Sequence, residues 1–452
     1  MRWNPLRAGF CEESAPAKTD AADFCAGREN EKMMSEALKG LLRIPSETGC
    51  GEEYDEKYGA MPYGRHVFEA LKYMLDLCER LGFRTKNCEN HIGWAEIGEG
   101  EQLIGILAHL DVVPAGNDWD YPPYDLTIAD GQMYGRGVVD DKGPAFCAVM
   151  AMKELLDSGV PLKKRVRIIF GCQEETGDWL DMQYYREHEE LPSYGFTPDA
   201  DFPAIYGEKG IISLYVSHPI AGSGIKTAEG GNAVNMVADL AKIVTDGGQT
   251  IQMSGVSAHG STPEEGENAI TKAMEAAAGN CAFATKYMDL IGYHLHGEAL
   301  GLDFSDEQSG KLTMNVGLLK TDEEKITLGI DIRYPVTLKA DEIKQKIKTA
   351  FETHGFAAEI TEHMDPVFMD KNGDVIRTLI GAFREVTGIE DEPTVIGGGT
   401  YARAMPNIVA FGPIIPGHPC TEHMKNEHIS QEDFEIAMKV YTLALKKLVI
   451  QQ

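Results

Sequence analysis

Positive charge is scarce in this 452-residue chain: Lys and Arg number 42 against 71 Asp and Glu, a formal net charge of −29. Most of such a surface repels polyanions, which argues against nucleic acid and against an anionic membrane as partners. Paired cysteines are lacking too. The nine cysteines are scattered and odd in number, with no C-x-x-C pair, and read as reduced thiols of a reducing compartment. No run approaches the roughly 18 apolar residues of a membrane span, and the opening MRWNPLRAGFCEESAPAKTD has no apolar core of a secretion signal. A cytoplasmic location is expected. Fixed-period repeats and low-complexity tracts are also missing. What is present, 43% hydrophobic and 25% charged residues, is the make-up of an ordinary globular protein with room for two or three folding units.

Residues 1–30 are polar and without periodicity, and are expected to form a poorly ordered extension. Helical patterning begins at MMSEALKGLLRI and returns in HVFEALKYMLDLCERLG, where Gly82 marks a C-cap. The apolar runs LIGILAHL (103–110), RVRIIFG (165–171) and IVAFGPI (408–414) have the length of buried strands, and the helix-like KGPAFCAVMAMKELLDSG lies between the first two. This alternation predicts an α/β catalytic domain, a mostly parallel sheet flanked by helices, over 31–211 and again over 366–452. Between them, 212–365 alternates apolar and polar residues around helical runs near 267–284 and 340–353, predicting an inserted α+β lid domain with an antiparallel sheet. Ser430 followed by Asp433 starts the last helix, with Phe434, Ala437, Met438, Tyr441, Leu445 and Leu448 on one stripe.

Ligands of open parallel sheets bind beyond the carboxyl ends of the strands. There LIGILAHLD delivers His109 and Asp111, RVRIIFGCQEE delivers Glu174 and Glu175, and the third run leads to His423. Singly, each fragment is weak: H-x-D is usually incidental, adjacent glutamates are usually a solvated edge, and the Asp140–Asp141 pair in GRGVVDDKGP reads equally well as a helix N-cap. Together with Asp199 and Asp201 of GFTPDADFP they make a set of imidazoles and carboxylates without cysteine, which suits zinc, manganese or cobalt in a reactive site. One carboxylate would be left over as a general base.

HLDVVPAG, YGRGVVDDKGP, EETG, PDADFPAIYGEKG, SAHGSTPEEGENA, DIRYP, GGGTYAR and the closing H-x-x-NE resemble the co-catalytic metallopeptidase family of aminoacylase, carboxypeptidase G and succinyl-diaminopimelate desuccinylase. Within it, the chain is most similar to the dipeptidase V branch of Xaa-His or carnosinase-like dipeptidases. The resemblance runs from about residue 31 to the C-terminus. It implies two divalent metal ions, zinc ahead of manganese and cobalt, one held by His109 and Asp199, the other by Glu175 and His423, with Asp140 bridging. It further implies Glu174 as general base, Asp111 as the partner that orients His109, and a cis peptide after Asp140. His259 would stabilise the oxyanion from the lid, and Arg333, Asn235, Gly398, Gly399 and Thr400 would bind the substrate's carboxylate end.

The reaction implied is hydrolysis of short unblocked peptides by a metal-activated water. An N-acyl-amino-acid deacylase shares this chemistry, and a catalytically inactive peptide-binding protein of the same fold is the alternative from another class. The length of the lid region resembles the doubled lid of the dipeptidase V branch, which implies a monomer that completes its own site.

Overall fold

The computed structural model describes residues 33–159 and 161–450; the expected N-terminal extension lies outside them. Two sheets, each with its own hydrophobic core, organise the chain. The first has nine strands among the described residues. Its middle is parallel: Ile408–Ala410, Tyr194–Thr197, Leu103–His109 and Arg165–Gly171 run side by side. Ile92–Ile97 and Arg84–Cys88 extend it antiparallel on one flank, and Ile205–Glu208 joins it beside Ile408–Ala410 on the other. Every residue of Leu103–His109 is buried, as a strand covered on both faces requires. Helices Arg65–Arg80, Lys142–Asp157, Asp374–Thr387 and Gln431–Ile450 supply the apolar faces that cover it.

The helix signals hold in detail. Arg65–Arg80 ends in a left-handed Gly82 (φ 89°), and Asp433 N–H donates to Ser430 Oγ at 2.9 Å at the start of the last helix. The run 408–414 departs from expectation by breaking into Ile408–Ala410 and Pro413–Ile414. Gly412 turns the chain there with φ 73°, and a Cβ on it would lie 2.3 Å from the Phe202 ring.

The second sheet is antiparallel throughout, in the order Thr250–Ser254, Leu240–Thr245, Ile225–Gly230, Thr313–Thr321, Lys325–Tyr334, Gly210–Pro219, Ala357–Met364. Helices Ala269–Ala277, Ala282–Leu290 and Ala340–Thr353 pack on it. The helical run expected over 267–284 is thus two helices, parted at Gly279 (φ 84°). Among the described residues no helix is long and apolar enough to cross a membrane, and the described cysteines are unpaired.

Candidate metal centre

The site forms where the parallel strands end. His109 closes the central strand with its imidazole fully buried. Its Nδ1 is 3.0 Å from the Asp111 carbonyl oxygen and 3.5 Å from that residue's carboxylate. The neighbouring strand ends at Gly171, where any Cβ would fall 2.4 Å from the Tyr401 ring. Beyond it, four successive backbone N–H groups are held by two buried acids. Cys172 and Gln173 donate to Asp181 Oδ2 at 2.6 and 3.1 Å, and Glu174 and Glu175 donate to Asp111 Oδ1 and Oδ2 at 3.1 Å each. Asp111 therefore braces the glutamate pair as closely as it does the imidazole, a role its H-x-D spacing alone did not signal. Asp181 also accepts from the Tyr401 hydroxyl at 2.5 Å. Burial raises its pKa to about 6 against the pull of these donors.

Asp140 precedes the helix Lys142–Asp157 through the cis Asp140–Asp141 peptide. Glu427, fully buried, holds its loop: Oε1 accepts from the backbone N–H of Gly137, Val139 and Asp140 at 3.0, 2.9 and 3.3 Å, while Oε2 accepts from Arg136 Nη1 at 2.6 Å. Asp141 Oδ2 accepts from His109 N–H at 3.1 Å, tying the loop to the central strand. So fixed, Asp140 turns one oxygen to each histidine. Oδ1 is 2.9 Å from His109 Nε2, and Oδ2 is 2.8 Å from His423 Nε2. His423 Nε2 is in turn 3.1 Å from Glu175 Oε2, and Asp199 Oδ2 is 3.7 Å from His109 Nε2. Ligand atoms of His109, Glu174 and Asp199 lie within 4.8 Å of one another, as do those of His109, Asp140 and Glu175. Asp201 belongs to neither group.

Electrostatics show the cost of this crowding. Burial, then Asp199 and Glu175, hold the Glu174 carboxyl well above the usual carboxylate range despite His109. Burial and Asp140 push Asp199 up to about 7. His423 rises to about 11 because the Asp140 and Glu175 carboxylates outweigh its desolvation. Like charges this close to a core must be neutralised by cations or by protons. The donor set fits divalent metal: two donors at about 2.1 Å from one ion stand roughly 3 to 3.5 Å apart, close to the separations seen here. Glu175 Oε1 is buried without a hydrogen-bond partner, as an atom reserved for a metal would be.

The lid faces this cluster across a cleft of about 510 Å³, with Glu174, Glu175 and Trp179 on one side and Asn235, His259 and Arg333 on the other. His259 Nδ1 is fixed by Ser261 Oγ at 2.6 Å. Arg333 is already engaged: Nε and Nη2 fork onto Asp331 at 2.7 Å each, and Nη1 donates to the Gly397 carbonyl at 2.9 Å. Of its five N–H groups, one on Nη1 and one on Nη2 are left to donate to a further acceptor. Gly399 lines the cleft. Thr400 turns away, its hydroxyl donating to Glu208 at 2.7 Å, and the Gly398 carbonyl accepts from Arg403 at 2.8 Å.

The profile of Peptidase family M20/M25/M40 matches residues 105–447. The chain belongs to that family. It is accordingly a hydrolase, and the two-sheet architecture is the family's catalytic and lid arrangement. YtjP of Bacillus subtilis, named provisionally as a dipeptidase, is 36% identical over 86% of this chain and 92% of its own length. Human carnosine dipeptidase 1 shares the fold at 15% identity, with a TM-score of 0.60 over 95% of this chain and 98% of that one. YxeP of Bacillus subtilis, described as a dinuclear metal binding peptidase, superposes with a TM-score of 0.51 at 13% identity, covering 92% and 99%.

Four buried groups that brace the M20 centre escaped the sequence reading. Glu427 lies in the H-x-x-NE segment, Asp181 in EETGDWLD, Asp331 in DIRYP two residues before the Arg333 it holds, and Glu208 in PDADFPAIYGEKG, with partners that only the tertiary fold brings to it.

Proposed function

We propose that this chain is a dinuclear metal-dependent dipeptidase that hydrolyses short unblocked peptides and works as a monomer. The observation that carries the reading is Asp140, whose two carboxylate oxygens face His109 on one side and His423 on the other. His109 and Asp199 would hold one ion and Glu175 and His423 the other, with Asp140 shared; zinc suits this set, as do manganese and cobalt. When bound, such a pair supplies a water activated near neutral pH and a Lewis acid for the amide carbonyl.

The chain's own groups do the rest. Glu174 lies beside the cluster without any cationic side chain bonded to it, and its raised proton affinity suits a base that takes the proton of the attacking water and passes it to the leaving amine. His259, with Nδ1 fixed, presents Nε2 to the developing oxyanion. The free end of Arg333 and the backbone at Gly399 receive the peptide's carboxylate, with Asn235 beside them. Glu362 supplies an acid in the cleft wall for the free amine, which favours a peptide over an N-acylated amino acid. That His259 lines the cleft of its own chain supports a site that needs no second copy.

Hydrolysis of a panel of dipeptides, tripeptides and N-acyl amino acids tests this. Activity should vanish on chelation, return with zinc, manganese or cobalt, and favour dipeptides. Preference for N-acyl amino acids, or hydrolysis that survives chelation, refutes the reading.

A further inference from the structure

The chain crosses twice between its two sheets. The first crossing leaves Ile205–Glu208, turns over Lys209 and enters the lid at Gly210–Pro219; the second leaves Ala357–Met364, passes Asp365 and returns at Val367–Phe368. One guanidinium meets both crossings. Arg403, from the short 3-10 turn Tyr401–Arg403, donates through Nη2 to the carbonyls of Lys209 at 2.6 Å and Gly398 at 2.8 Å, and through Nη1 to that of Asp365 at 2.7 Å. Its Nε stands 2.7 Å from Glu208 Oε2, and Glu208 Oε1 accepts from the Thr400 hydroxyl at 2.7 Å. The pair is buried, with side-chain exposures of 4% and 1%.

A buried charge is costly unless its bonds are met, and here one planar donor group meets three carbonyls from three separate segments. The same loop touches the lid directly. The Gly397 carbonyl accepts from Arg333, and a Cβ on Gly397 would lie 2.6 Å from Ser261 Cβ, two residues from His259.

We propose that Arg403 is a positioning residue that ties both crossings to the loop 397–400, and so fixes the lid at the angle where His259 and Arg333 line one cleft with Glu174. This rests on the reading that those lid residues serve hydrolysis. Arg403 acts through the hinge and does not touch substrate. A lysine in its place keeps the charge pair with Glu208, but a single ammonium cannot span three carbonyls in three directions.

The test uses the full-length, zinc-loaded protein and its Arg403→Lys and Arg403→Gln variants. Spin labels at the exposed positions Lys242 on the lid and Glu435 on the last helix, attached through ketone-bearing residues so that native thiols are untouched, report the interdomain distance. Both variants should keep the wild-type zinc content, widen the distance distribution at least twofold, and lose at least tenfold in kcat/KM. A wild-type distribution in Arg403→Lys reduces the residue to a charge partner and overturns the proposal. So does a widened distribution with unchanged activity, or failure of both variants to fold, which assigns Arg403 to stability alone. The distances are read without substrate, so they decide the hinge claim even if the wild-type protein cleaves no dipeptide.

Discussion

At the scale of single residues, Glu174 and Asp181 make the sharpest contrast. Glu174 is half-buried and Asp181 fully so, and while the first stands among the ligand atoms the second is bonded by three backbone N–H groups and a tyrosine hydroxyl. Glu174→Gln keeps shape and removes the proton acceptor. Its kcat should fall by about 10² to 10⁴ while metal content measured by mass spectrometry is unchanged; loss of metal would make Glu174 a ligand. Asp181 gives a pH signature. Its folded pKa, about 6, lies above the ordinary aspartate value of 3.8, so the folded state holds a proton that the unfolded state gives up. The stability it contributes is complete below about pH 4 and is lost as pH rises through about 6, some 3 kcal/mol in all. Urea unfolding of chelated protein should therefore show the wild type losing about that much relative to Asp181→Asn between pH 4 and 7, and parallel profiles would contradict it.

Among elements, the ones that place the ligands were also the easiest to read. Leu103–His109 and Arg165–Gly171 match their apolar runs to within one residue, because strands this fully buried keep a nearly continuous apolar sequence. The run 408–414 was harder, since the turn at Gly412 answers to Phe202, two hundred residues earlier in the chain. The bracing role of Glu427 was not legible, although its H-x-x-NE segment was: what makes Glu427 matter is three N–H groups of the 137–140 loop, nearly 290 positions away. Glu427→Gln leaves Arg136 buried without its counter-charge and turns an amide N–H₂ toward donors. It should cost about 3 to 5 kcal/mol in chemical unfolding and weaken metal affinity by about 10- to 100-fold. A variant with wild-type affinity would mean that the Asp140 loop needs no such brace.

For the whole molecule, two cores are joined at two crossings, and under the proposed function catalysis depends on how one body sits against the other. Metal should couple to stability as well, because the folded chain gathers acids that repel one another when no cation is present. Chelation should lower the calorimetric unfolding temperature by about 4 to 7 °C, corresponding to about 4 kcal/mol of binding linkage at a thousandfold excess over Kd; an unchanged transition would rule out the cluster as a metal site. Light scattering should return the mass of one chain, and an obligate dimer would contradict the self-completed cleft.

The reach of Glu427 bears on biosynthesis. His423 and the carboxylate that steadies Asp140 both emerge from the ribosome some 280 residues after Asp140 itself. If His423 holds metal as proposed, a nascent polypeptide can fold much of the nine-stranded sheet before it can cut anything, and translation must run past Glu427 before the hydrolase exists.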